Sequence, residues 1–206
     1  MSRNTVKKLL ASFAVAGVAA AMAGLGTFAT FTSSTSASHT ISSGTVSITL
    51  GATGASTNRL TVGASNVVPG DTIQRTVDLI NNGGATADNL SSIVLTTTAS
   101  PSSLLDTEAT NGLQMVIEKC SVPWTEGGTA PAYTYTCSGT TSTVLASRPV
   151  IGASMALSSL ASLTTGSTDH LRVTLTLPAA APNTLQGQTS TISYNFVGTQ
   201  RVAGSK

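Results

Sequence analysis

The sequence predicts an all-β fold: a jelly-roll-like antiparallel β-sandwich with one or two short helices, preceded by an N-terminal signal helix. Three observations predict it. First, Leu171, Val173, Leu175 and Leu177 share one parity while Arg172, Thr174 and Thr176 share the other, the period-2 alternation of a half-buried strand. Second, after Pro178, which cannot donate to a ladder, Ile192, Tyr194 and Phe196 alternate with Thr191, Ser193 and Asn195. Together these two segments read as the central hairpin of the domain. Third, Val, Ile and Thr are spread along the chain while charged residues make up only 9% of it, against a usual ~25%. Disorder goes with the opposite composition. So little charge suits a protein that associates with surfaces or with itself.

Residues 1–29 read as a signal peptide. Arg3, Lys7 and Lys8 form a positive start, residues 9–23 an apolar stretch broken by Gly17, and small residues follow. Two cleavage positions fit small residues at −3 and −1: between Ala29 and Thr30, and after Ala37. An uncleaved anchor is the alternative, because apolar character continues to Phe31. The roughly 170 residues behind the leader suffice for one domain with a real core. The formal charge of +2 belongs to the leader: without its three basic residues the count is seven against eight acids, or −1. No basic patch carries interleaved aromatics, so nucleic acid is not an expected partner.

Residues 30–43 are a polar, flexible segment, and 44–201 form the sandwich domain. Val46, Ile48 and Leu50 alternate in a first strand, and residues 59–62 suggest a second, short one. Pro69-Gly70 is a turn, and Ile73, Val77 and Leu79 define a strand over 72–80. Arg75 interrupts that face and is expected to snorkel at an edge or pair with an acid. Asn81 to Gly84 end the strand in a tight turn. Ile93 and Leu95 place another strand over 89–98. Residues 101–110 read as loop or helical turn with Ser102 or Ser103 as cap. Leu113, Met115 and Ile117 alternate towards Cys120, residues 123–131 are loop, and Tyr133 and Tyr135 alternate into Cys137. Residues 150–165 read as loop that admits a short helix. Residues 202–206 are a tail.

Cys120 and Cys137 lie in the part expected to be exported, which favours a disulfide over two free thiols. It would close an excursion whose arms keep register through the bridge.

Three stretches carry a resemblance. Gly26, Thr27, Phe28, Ala29, Phe31 and Thr32, followed by Gly44, Thr45, Val46, Ile48 and Leu50, are the first. Val67, Pro69, Gly70, Asp71, Arg75, Val77, Leu79, Asn81 and Gly83 are the second. The third is Leu177, Pro178, Ala181, Asn183, Gln186, Gly187, Ile192, Tyr194, Phe196, Gly198 and Gln200. In this order they resemble the TasA/camelysin family. The resemblance implies a leader cut between Ala29 and Thr30 by a SipW-type signal peptidase of Gram-positive bacteria. It implies a secreted, cell-surface-associated subunit of extracellular fibres or biofilm matrix. It also implies head-to-tail self-assembly, alone or with other matrix components, by strand donation from about residues 30–50. Phe31, Ile41, Val46 and Ile48 are the candidate polymerisation residues, and Phe31 and Ile41 are the favoured anchors if Val46 and Ile48 stay in the subunit's own sheet.

The family's other name implies a metallo-endopeptidase. The sequence has no H-E-x-x-H, and its two histidines, His39 and His170, are far apart. Asp169-His170 reads as a solvated strand start before it reads as a cation site. No G-x-S-x-G elbow and no calcium-loop run occurs. Trp124 and Tyr133 could stack on sugars but more commonly such residues pack under their own loop. No catalytic, cofactor or metal residues are therefore assigned, no cofactor is expected, and the membrane is a partner only through the leader. The rival readings are a monomeric surface adhesin using the Cys120–Cys137 excursion, and the secreted protease.

Overall fold

The computed structural model describes residues 47–61, 63, 64, 66–84 and 88–201. The signal helix, the Ala29–Thr30 junction, His39, Phe31, Ile41, Val46 and the 202–206 tail lie outside them.

Ten strands follow in chain order: β1 (Ile48–Leu50), β2 (Thr72–Asn81), β3 (Leu90–Ala99), β4 (Gln114–Cys120), β5 (Thr125–Thr129), β6 (Ala132–Thr136), β7 (Thr141–Pro149), β8 (Gly152–Ala156), β9 (Thr168–Thr176) and β10 (Ile192–Gln200). A one-turn helix α1 (Leu104–Thr107) and a 3-10 turn (Asn183–Leu185) interrupt them. The chain is all-β, and every strand pair is antiparallel. A larger sheet runs β1-β2-β9-β4-β7 and a smaller one β10-β3-β8, while β5 and β6 pair only with each other. Val77, Leu79, Met115, Ile117, Leu171 and Val173 from the larger sheet share one core with Ile93, Leu95 and Met155 from the smaller. Alternation explains this: each strand sends every second side chain inward, and two such faces exclude water together.

The expected central hairpin does not form. β9 lies between β2 and β4, whereas β10 pairs with β3 in the other sheet. Parity reveals which face of a strand is buried and says nothing about its neighbour. The connection after Leu177 crosses from sheet to sheet, with Leu177 and Leu185 buried in the core on the way. Residues 150–165 contain β8 instead of a helix. Its Gly, Ala and Ser residues carry no strand signal, and a register shift between Leu95 and Thr97 breaks its period. Thr97 anchors the entry to β8, donating to the Val150 carbonyl (2.6 Å) and accepting from the Gly152 amide (2.9 Å). Of the short strand expected over 59–62, the described residues 59–61 form none; a single bridge, Asn58 to Val77, lies just before them. The loop over 123–131 contains β5, hidden by Gly127 and Gly128.

Ser103 caps α1: its hydroxyl accepts from the Leu105 amide (3.1 Å), and the Asp106 carboxylate accepts from the Ser103 amide (2.7 Å). Asp106 is buried and also accepts from Ser102 (2.6 Å) and Ser190. Burial pushes its carboxyl up, but these donors outweigh it and hold the group below the usual carboxylate range.

Cys120 and Cys137 form a disulfide with Cα atoms 5.7 Å apart. The excursion between them is the β5–β6 hairpin. Its pairing runs from Thr125–Thr136 to Thr129–Ala132, so a two-residue loop sets the register as well as the bridge. Among the described residues no helix is long and apolar enough to cross a membrane.

Candidate assembly groove

Among the described residues β10 stands at the margin of the smaller sheet. Ile192, Tyr194 and Phe196 are half-buried and pack against the core, while Ser193, Asn195, Val197 and Thr199 are exposed. Marginal strands are usually kept short or guarded by charge or proline. β1 has three residues and β8 five, and β7 ends in Arg148-Pro149. β10 has nine residues with neither charge nor proline.

Beside the first half of β10 the two sheets part around a cavity of about 1260 Å³. Ile192 and Tyr194 line one side; Leu60, Val67, Ile73 and Leu175 line the other, with Leu105, Leu113 and Leu185 also in its wall. At the far end of β10 the gap is shut. A Cβ on Gly198 would collide with Ile48 Cδ1 and crowd Leu90 Cδ1, so glycine there lets β10 and β1 approach. The result is a trough lined by apolar side chains of both sheets together with polar residues such as Asn58, Asn66, Gln186 and Gln188. Burial pushes the Tyr194 phenol above its ordinary pKa, with Arg75 opposing.

Both rims are braced by polar contacts. On one side Arg59 donates to Glu126 through Nε (2.9 Å) and Nη2 (2.6 Å) and lies 4.7 Å above the Tyr133 ring. This hydrogen bond holds the Glu126 carboxyl below its usual range, and Tyr135 adds another at 3.0 Å. Arg75 is buried, not snorkelling, and its guanidinium donates to the carbonyls of Gln74 (2.6 Å), Gly63 (2.8 Å) and Pro131 (3.0 Å). On the other side Ser190 joins Asp106 and Ser103, tying the segment before β10 to α1. Sequence reasoning found none of these braces. Its one trace was Arg75, a cation on an apolar parity.

Ile48 sits in β1 opposite Asn81 and packs on the core. It therefore belongs to the chain's own sheet, which corrects its place among the donated residues. Trp124 donates to the His170 carbonyl (2.8 Å), and its ring lies 4.3 Å from the Arg172 guanidinium. That contact, with Arg59 on Tyr133, uses both aromatics to seat the hairpin on the larger sheet.

The family model described as camelysin metallo-endopeptidase matches residues 4–205. The chain belongs to the TasA/camelysin family. No significant match to a curated protein is found. Proteins of this family are typically extracellular or surface-associated. The family description names a metal, so the donor set matters. Asp169 and His170 point to opposite faces of β9. His170 Nδ1 is 2.7 Å from Asp78 Oδ1 on the outward face. Asp169 is buried inward, held by the amides of Ala161 (3.0 Å) and Ser162 (2.7 Å) and by Lys119 (3.3 Å). Glu118 is engaged by Arg172, and Glu126 by Arg59. Among the described residues no three His, Cys, Asp or Glu converge as metal ligands, so these residues do not fit a metal centre.

Proposed function

We propose that this member of the TasA/camelysin family is an exported structural subunit of extracellular fibres or biofilm matrix, assembling by N-terminal strand donation. The observation that carries the reading is the partly apolar trough beside β10, a long strand that is marginal among the described residues and carries neither charge nor proline. A row of backbone groups plus a trough for alternate side chains is what an added strand requires. The donor would be the segment freed when a SipW-type peptidase cuts between Ala29 and Thr30, with Phe31 and Ile41 as its apolar anchors. Each subunit then gives one strand and receives one. Such head-to-tail contacts do not close, and they build filaments.

A jelly-roll-like reading of the sandwich has support in the strand order. β2-β9-β4-β7 with β8 beside β3 is the pairing that results when the chain changes sheets at successive strands. Deleting residues 30–43 from the mature protein is expected to abolish filaments in electron micrographs and leave the melting temperature of the domain within a few degrees. Filaments grown from the truncated protein would overturn strand donation.

The family's printed description favours a second reading, a secreted metallo-endopeptidase. Casein digestion by the purified protein, lost with chelator and restored by zinc, would establish it. Absence of digestion under the same conditions leaves the fibre reading in place.

A further inference from the structure

The Cys120–Cys137 bridge lies on the outward face of the larger sheet, away from the trough, yet a run of contacts joins the two. Cys120 ends β4 and Cys137 follows β6, so the bridge ties both feet of the β5–β6 hairpin. The body of the hairpin holds the trough's rim at three points. Glu126 of β5 takes two hydrogen bonds from Arg59. Pro131, in the tip, accepts from Arg75 Nη2, the same nitrogen that donates to Gly63. Tyr133 of β6 supports the Arg59 guanidinium from below. Leu60, which follows Arg59, and Gly63 and Arg75 all line the cavity.

Besides these contacts and its bridge, the hairpin is held to β9 by Trp124, which donates to the His170 carbonyl, and by Arg172, which donates to the Tyr135 carbonyl (3.2 Å). Of its ten strand residues only Tyr135 is buried, and two-stranded ribbons are marginal on their own. Cys120 is buried on the outward side of β4, and neither cysteine belongs to the apolar cluster between the sheets. Freeing the feet should therefore loosen the rim and spare the sandwich.

We propose that oxidation of Cys120 and Cys137 switches the trough into its strand-accepting form, so that assembly is gated by disulfide formation. This rests on the fibre reading. In the step, the two thiols together lose two protons and two electrons as the S–S bond forms. A disulfide of an exchange partner takes them up and becomes a dithiol. The reduced chain keeps its core but leaves Arg59 and Arg75 without fixed hairpin partners, and the rim frays. A subunit still in a reducing compartment would accept a strand about tenfold more slowly than one in an oxidising compartment.

The test compares the oxidised mature chain with the Cys120→Ser/Cys137→Ser double variant and with Glu126→Gln, which keeps the bridge and weakens the Arg59 clasp. Two readouts are taken: trypsin nicking after Arg59, with the core site at Arg172 as control, and filament growth followed by light scattering. The double variant should be nicked after Arg59 about tenfold faster, with Arg172 still protected, because local opening sets the cleavage rate. Its filament growth should fall by a similar factor, and Glu126→Gln should move both readouts in the same direction. Equal nicking, or equal growth, in the oxidised chain and the double variant would overturn the gate. Loss of protection at Arg172 would also overturn it, because the bridge would then belong to the fold as a whole. If the oxidised chain itself grows no filaments, the fibre reading fails and the gate with it, while the nicking result still decides whether the hairpin braces the rim.

Discussion

Ile117→Ala is expected to destabilise the domain by about 4 kcal/mol, the upper part of the range for truncating a fully buried aliphatic side chain. Ile117 has 0% exposure and stands in the middle of β4, opposite Val173 of β9 and Leu145 of β7. Three adjoining strands fix the backbone around it, so the site has little freedom to collapse into the space left behind. For a domain of this size that loss lowers the melting temperature by roughly 10 °C. Ile117→Val removes one methylene and should cost about 1 kcal/mol. Both are read from thermal unfolding by circular dichroism. A shift of only a degree or two for the alanine variant would mean that the sheets do not share a core at this point.

Asp169→Ala should cost about 3 kcal/mol by a different route. The carboxylate is 2% exposed and is the acceptor for two backbone amides, Ala161 and Ser162, and for Lys119. Removing it leaves those donors without their acceptor in the interior, and an orphaned buried donor loses its full hydration. Asp169→Asn keeps the shape, but Ala161 donates to Oδ1 and Ser162 to Oδ2, so the asparagine NH2 must face one of those N–H groups and the variant should lose about as much as the alanine one. Calorimetric melting of the two variants checks the comparison. An asparagine variant as stable as the native chain would show that one acceptor oxygen suffices to hold the connection between β8 and β9.

Both sites illustrate which parts of the chain were legible before any coordinates. Ile117 and its neighbours Leu113 and Met115 alternate plainly, as do Val77 and Leu79, Ile93 and Leu95, and Leu171 and Val173, so strands with an inward face could be read directly. The Ser103 cap was readable too, because capping is decided within one turn of chain. The false hairpin came from treating two good strands close in sequence as partners, when Leu177 and Leu185 carry the chain across the core between them. β5 and β8 escaped because Gly127, Gly128, Gly152 and Ser154 give up the side chains that announce a strand. Ser154 even adopts positive φ. The trough could not be read at all. Its walls come from Leu60 and Val67 on one side and Ile192 and Tyr194 on the other, more than a hundred residues apart, and their meeting is a property of topology.

The three-residue length of β1 has a mechanical consequence. It meets β2 through the three pairs Ile48–Asn81, Thr49–Ile80 and Leu50–Leu79, with one further backbone bond at each end, from Asn82 to Ser47 and from Gly51 to Asp78, while β2 and β9 are joined over nine pairs. A load applied to the front end of the domain would arrive at this short lap joint first. Three rungs would let go before nine, and the sandwich behind them would stay intact. β1 is thus placed to act as the domain's give, extending a little under tension and re-zipping when the pull is relaxed.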